Sequence, residues 1–352
     1  MRKRDNKVPD ENIQKTLDSA ANGSFTMKVS VSMITYNHEK FIAKALDSIL
    51  MQRTNFDYEI VVGEDCSTDN TRNILLGYQE RFPDKLRLFL NEQNIGMHRN
   101  NEQTLESCKG EYVAILEGDD YWTSPDKLQK QVDFLDKHPE CVICFHNVME
   151  FYEDGSREPH PFHENLKKEV FTVEDLLAGN FIPTLSSMFR NGITKVPELF
   201  SLLPMGDWPF HIFTALHGKI GYINEVMAVH VHHREGVWFT MAQTQNWVES
   251  HKASIIVYDY LYAHLGAKYR PMIARLLHEL CHRLAREYEK RGELANARKY
   301  AVMAFSRHFL MNKELSKQLV RLYAPMLYKS VKMLQKTAYS VIKKVTSGCS
   351  SS

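Results

Sequence analysis

The sequence predicts an α/β fold, a mostly parallel sheet flanked by helices, with a helical appendage at the C-terminal end. Three observations carry this expectation. Short apolar, β-branched runs alternate with stretches of helical spacing between Val29 and Leu135, the order of strands joined by crossover helices. Acidic or hydroxyl-rich turns follow several of these runs, as at strand ends that border a ligand crevice. Beyond residue 245 the chain is helical in pattern and poor in Gly and Pro.

The elements follow in order. Met1 to Asn12 is charged and has no apolar signal core, so residues 1–26 read as a flexible arm. Val29 to Asn37 is a β-type run ending in polar residues. Phe41, Ile42, Ala45, Leu46 and Ile49 come next at helical spacing. Tyr58 to Val62 is a second strand, running into Gly63-Glu64-Asp65-Cys66-Ser67-Thr68-Asp69. Ser67, Thr68 or Asp69 could cap the helix behind it. Leu86 to Leu90 is a third strand and Asn94-Ile95-Gly96 a turn. Tyr112 to Leu116 is a fourth strand, nearly all apolar as a strand covered on both faces should be. Thr123-Ser124-Pro125-Asp126 carries the start signals of a helix with core positions Leu128, Val132 and Leu135. Cys141 and Cys144 lie in a strand-like run where residues three apart face opposite sides, which argues against a metal or redox pair. Thr184 to Arg190 reads as a further strand. The six cysteines lack framework spacing, which fits a reduced, cytoplasmic chain.

The most informative stretch is Leu116-Glu117-Gly118-Asp119-Asp120-Tyr121-Trp122. Carboxylates this close repel unless a cation or hydrogen-bond donors compensate. A hard divalent cation with oxygen ligands, sharing its shell with substrate phosphates, is the natural compensator.

The order Thr35-Tyr36-Asn37, Glu64-Asp65-Cys66-Ser67-Thr68-Asp69, Asn94-Ile95-Gly96, Lys109-Gly110-Glu111-Tyr112, Glu117-Gly118-Asp119-Asp120 resembles the family 2 glycosyltransferases of bacterial polysaccharide synthesis. The resemblance runs from Met27 to Trp238. It implies the GT-A fold, a single Rossmann-like α/β domain that binds a nucleotide sugar. It further implies that Asp65 contacts the base, usually uracil, and that Thr35 and Asn37 lie on the first nucleotide-binding loop. Glu117 matches the first acid of the family's Asp-x-Asp motif, facing the ribose. Asp119 matches the second, the ligand of Mn²⁺ or Mg²⁺, with Asp120 beside it. Three departures stand out: Glu-Asp-Cys-Ser replaces the usual Asp-Asp-Gly-Ser, Glu117 replaces the first Asp of Asp-x-Asp, and Asn101-Glu102 replaces an Arg-Asn pair. The family's general base matches Asp207 in Met205-Gly206-Asp207-Trp208-Pro209, where a helix-capping role is also open. Val229-His230-Val231-His232-His233-Arg234-Glu235-Gly236 resembles the segment whose His approaches the metal. His232 and His233 face opposite ways on a strand, and His233 is the preferred ligand, His232 the alternative.

Charge is divided unevenly. Residues 1–245 hold 25 Lys+Arg against 36 Asp+Glu, and residues 246–352 hold 19 against 7. Arg321 to Val345 has six basic residues and no acid, with Leu327, Val331, Leu334, Ala338, Val341 and Val345 on one stripe. Such a helix suits an anionic membrane surface, or packs on the catalytic domain with a solvated Lys face. No run is long enough to span a bilayer, and no nucleic-acid module is recognisable. His278-Glu279-x-x-His282 matches a zinc-protease pattern but lacks an evident third ligand. The expected domains are 1–26, 27–245 and 246–352. The expected activity is an inverting transfer of a sugar, from a UDP-sugar or similar donor, to a saccharide or lipid-linked saccharide. The rival reading is a non-catalytic sugar-nucleotide-binding scaffold of the same fold.

Overall fold

The computed structural model describes residues 25–194, 196–199, 203, 206–236, 247–306 and 313–324. Contacts divide the described residues into two compact units, one within 25–236 and one within 247–324.

The first unit is built on a mixed sheet. Its strands are β1 (Met27–Thr35), β2 (Tyr58–Glu64), β3 (Leu86–Leu90), β4 (Gly110–Ile115), β5 (Tyr121–Trp122), β6 (Cys141–Tyr152), β7 (His160–Pro161), β8 (Val170–Phe171), β9 (Met188–Arg190) and β10 (Lys219–His232). The order is β3-β2-β1-β4-β9-β6-β10-β5, with β7 on β6 and β8 on β10. Strands β3, β2, β1 and β4 are parallel neighbours. Short β9 runs antiparallel to both β4 and β6 and joins that half to the long parallel pair β6–β10. Helices α1 (Ile42–Leu50), α2 (Thr71–Arg81), α3 (Met97–Glu106) and α4 (Lys127–Lys137) provide the crossovers. Both faces of β1 are buried, Val29, Val31 and Met33 on one and Ser30 and Ser32 on the other, with Ile42, Leu46 and Ile49 of α1 and Leu128 and Leu135 of α4. Burial on both faces accounts for the near-continuous apolar strands read from the sequence.

One element departs from the expected strand. Thr184–Ser186 is a 3-10 turn, and only Met188–Arg190 is extended. The hydroxyls are the cause: Ser186 Oγ donates to Pro183 O at 2.6 Å and Ser187 Oγ to Thr184 O at 2.8 Å. Local bonds of this kind compete with a sheet ladder. Helix α5 (Val173–Ala178) precedes this turn and α6 (Asp207–Ala215) follows it. Asp207 is the first residue of α6, and Gly206 holds the capping position.

The second unit holds α7 (Trp247–His264), α8 (Arg270–Lys290), α9 (Leu294–Ser306) and α10 (Lys313–Tyr323). Gly292, with φ of 77°, turns α8 into α9, and Leu277, Cys281, Leu284, Ala297 and Ala301 are buried. His278 Nδ1 lies 3.0 Å from Ala304 O. Among the described residues, the His278–His282 pair joins no group of three metal-capable side chains, so the zinc-protease pattern lacks the ligand set it needs. Residues 325–345 of the basic stripe lie outside the described residues, and no described helix is long and apolar enough to cross a membrane.

Candidate active site

The acids hang on the carboxyl end of β1. Leu116 N donates to Ser32 O and Gly118 N to Ile34 O, each at 3.1 Å, so the chain after β4 stays beside β1. On the other flank Asp65 N donates to Thr35 O at 3.1 Å. Both acidic turns therefore border the strand that carries Thr35, in the crevice position of open α/β sheets. The glycine between the acids has a steric reason. A Cβ at Gly118 would lie 2.6 Å from Thr35 Oγ1 and 2.8 Å from His38 Nδ1.

Asp119 is the centre of a small cluster. Its Oδ2 lies 3.0 Å from His233 Nε2 and 3.7 Å from His38 Nε2. His38 in turn is 3.2 Å from Thr35 Oγ1 through Nδ1. One ligand atom from each of His38, Asp119 and His233 falls within 4.8 Å of the others. His233 is thus the histidine beside Asp119. His232, on the opposite face, is bonded to Glu150. The sequence pattern does not single out His38, a lone histidine after the first strand. Its position three residues past β1's last residue is visible only once β1 and β4 are adjacent.

Charge in this cluster is unbalanced. Burial raises the Asp119 carboxyl, but His38 and His233 outweigh it and hold it below its ordinary range. The bond to Asp119 raises His233. Burial, with repulsion from Asp120 and Asp119, pushes Glu117 well above the usual carboxylate range, and its Oε2 is buried without a hydrogen-bond partner. Asp120 is pushed up to about 7, chiefly by burial. Its Oδ1 accepts from Val231 N at 2.8 Å, so it clamps the end of β10 just before His233.

The remaining expected residues serve the same edge in different ways. The Asp65 carboxylate accepts from Ile95 N at 2.8 Å, Gly96 N at 2.9 Å and Asn91 Nδ2 at 3.1 Å. It therefore secures the Asn94-Ile95-Gly96 turn and does not join the Asp119 cluster. Asn37, in the left-handed region at φ of 56°, accepts from Thr68 N at 2.8 Å, and its own N–H donates to Ser67 Oγ at 3.0 Å. These bonds lace the loops after β1 and β2 together. Asp207 accepts from Asn180 Nδ2 at 2.8 Å and lies 3.4 Å from Thr184 Oγ1. The turn holding Thr184 abuts the end of β4 through Ile115 N to Ser187 O, 3.1 Å. Asp207 is therefore tied, one turn removed, to the strand that carries the acids. A cavity of about 220 Å³ adjoins Asp119, lined by Lys40, Phe41, Lys44, Tyr121 and Phe151 among others.

Comparison with known proteins places this arrangement. Residues 30–196 match the sequence family described as "Glycosyl transferase family 2". An uncharacterized protein of Mycobacterium tuberculosis is 41% identical over 210 residues, 60% of each chain. The chain thus spans about 60% of the length of such mycobacterial relatives. The Bacillus subtilis "Putative teichuronic acid biosynthesis glycosyltransferase TuaG" is 30% identical over 183 residues, 51% of this chain and 70% of that one. Poly(ribitol-phosphate) beta-N-acetylglucosaminyltransferase TarS of Staphylococcus aureus is 35% identical over 176 residues, 49% of this chain and 29% of TarS. The crystal structure of S. aureus TarS 1–349 in complex with UDP-GlcNAc superposes with a TM-score of 0.53 at 20% identity, covering 84% of this chain and 79% of that one. A shared GT-A sheet, a matching family profile over the acid-bearing strands and a 30% identical relative covered over most of its length lead to one conclusion: the chain belongs to glycosyl transferase family 2.

Proposed function

We propose that this protein transfers a sugar, with inversion, from a nucleotide-sugar donor to a saccharide or lipid-linked saccharide acceptor. The observation that carries this reading is the His38–Asp119–His233 cluster at the end of β1, beside a buried, unpartnered Glu117 oxygen. That cluster has the donor types for a divalent cation and a surplus of negative charge for one to offset. A carboxylate with imidazole neighbours favours Mn²⁺ over Mg²⁺, which prefers an all-oxygen shell. When bound, such an ion would supply Lewis-acid stabilisation to the leaving diphosphate.

The chain's own groups have these roles. Asp119, with His233 and His38, holds the cation side of the donor. Thr35 and Asn37 shape the nucleotide loop, Asp65 braces the turn beside the base, and Glu117 faces the ribose. Asp120 fixes the end of β10 and so the aim of His233. Asp207 takes the proton from the attacking hydroxyl. Asn180 and Thr184 hold its carboxylate. His211, one turn on, adds no positive charge at neutral pH, because burial lowers it to about 4. UDP-GlcNAc is the first donor to test, since the 35% identical relative TarS is named an N-acetylglucosaminyltransferase and is crystallised with UDP-GlcNAc. We place the catalytic unit at 27–245, and the basic stripe beyond α10 is the segment to test for an anionic membrane surface.

The test is Mn²⁺-dependent release of UDP from UDP-GlcNAc, with and without a saccharide acceptor. The proposal expects release by the native protein, none in excess chelator, and a strong loss in Asp207→Asn. Tight donor binding without turnover across nucleotide sugars and acceptors would instead favour the scaffold reading.

A further inference from the structure

A second group of metal-capable side chains lies on the far side of the β10 end. Glu150, His230 and His232 each offer a ligand atom within 4.8 Å of the other two. The sheet explains why. In the parallel β6–β10 pair, His230 is the register partner of Glu150 and His232 that of Tyr152. His230 and His232 are two residues apart, so both imidazoles leave the same face of β10, the face opposite His233. The Glu150 carboxylate is approached by one imidazole at each oxygen: His230 Nδ1 is 3.1 Å from Oε1, and His232 Nε2 is bonded to Oε2. Tyr152 stacks on His232 with ring centroids 4.3 Å apart and planes 11° apart, which fixes the direction of that ring. The carboxylate is nearly buried, while the two histidine side chains keep 24% and 16% exposure, leaving a path for an ion.

We propose that Glu150, His230 and His232 form a transition-metal site, of Zn²⁺ type, separate from the Asp119 cluster. Two imidazoles and one carboxylate, with an open fourth position, are the donor set of a three-ligand zinc centre. Ligand atoms about 2.0–2.2 Å from an ion sit about 3–3.5 Å from one another, which is the spacing of His230 and Glu150. Hard Mg²⁺ would disfavour so nitrogen-rich a set. The expected role is positional. Val231, between the two histidines, donates its N–H to Asp120, and His233 follows directly. An ion bridging β6 and β10 there would pin the segment that aims His233 at Asp119.

The test uses untagged full-length protein, stripped with chelator and titrated with Co²⁺ as a spectroscopic probe, then with Zn²⁺ in competition. The d–d absorption of a four-coordinate Co²⁺ site is the readout, with thermal unfolding run alongside to confirm that each variant is folded. We expect the band in native protein and in Asp119→Asn, and its loss in Glu150→Gln and His232→Gln. Zn²⁺ affinity should fall by more than about 100-fold in those two variants, since losing even an outer partner of a metal ligand costs about 10–100-fold. Glu150→Gln keeps size and shape, so it reports on ligation even if a histidine variant misfolds. No band in the native protein, a band lost in Asp119→Asn, or a band unchanged in folded Glu150→Gln each overturns the proposal, leaving a carboxylate held by two histidines without metal.

Discussion

The identity of single side chains decides the chemistry of the acid turn. Gly118 separates two carboxylates because no Cβ fits against Thr35 and His38. Gly118→Ala should displace the turn at a cost of about 1–3 kcal/mol, typical of overpacking, and remove Mn²⁺-dependent donor binding. Urea unfolding and a binding titration check both parts. Protonation gives a second handle. Asp120 titrates at about 7 when folded, against 3.8 ordinarily, and Glu117 is shifted the same way. A folded pKa above the unfolded one means stability that is complete below about 4 and is lost as pH rises through about 7. Metal-free protein should therefore lose stability from pH 4 to 7, and Asp120→Asn should flatten that slope. Because the ion competes with these protons, the Tm rise on adding Mn²⁺ should be larger at pH 7.5 than at pH 5.5. Equal rises at both pH values would contradict the carboxylate assignment.

Strand and loop contacts position those side chains, and their legibility in the sequence varied for physical reasons. The four parallel strands and the acids at their ends were readable because apolar runs and turn chemistry are local signals. His233 was readable as far as a choice between neighbours, since strand alternation separates it from His232. His38 and Glu150 were not, because each acquires its role from a residue 81 or 80 positions away, through strand order and register alone. The 3-10 turn at Thr184 was missed because its hydroxyls bond locally instead of facing a neighbour. One tertiary brace shows how tightly the loop after β2 is held. Glu64 is fully buried at the end of β2 and paired with Arg72 of α2, which also donates to Asn91 O at 2.6 Å. Removing Arg72 would leave a buried carboxylate without its cation, so Arg72→Ala should cost about 3–5 kcal/mol. A change in urea midpoint equivalent to less than about 1 kcal/mol, the range of a surface ion pair, would show that the brace is not formed in solution.

Across the whole chain, charge is divided between an acidic part, residues 1–245, and a basic part, residues 246–352. The acidic half contains the family 2 sheet, and the basic half is helical. If residues 325–352 carry membrane affinity, removing them should abolish co-sedimentation with anionic vesicles, while neutral vesicles bind neither form. The cut is placed after α10 because Arg321 Nη2 donates to Glu289 Oε2 at 2.7 Å, and a cut before it would disturb the helical unit itself. Unchanged sedimentation of the truncated chain would assign the basic stripe to protein contact instead. The central claim lies in the other half, and isothermal titration of UDP-GlcNAc with and without Mn²⁺ tests it most directly. Native protein and Asp207→Asn should bind the donor with the same Mn²⁺ dependence, while Asp119→Asn should lose that dependence altogether. Mn²⁺-dependent binding that survives intact in Asp119→Asn would contradict the assignment of this cluster as the donor's cation site.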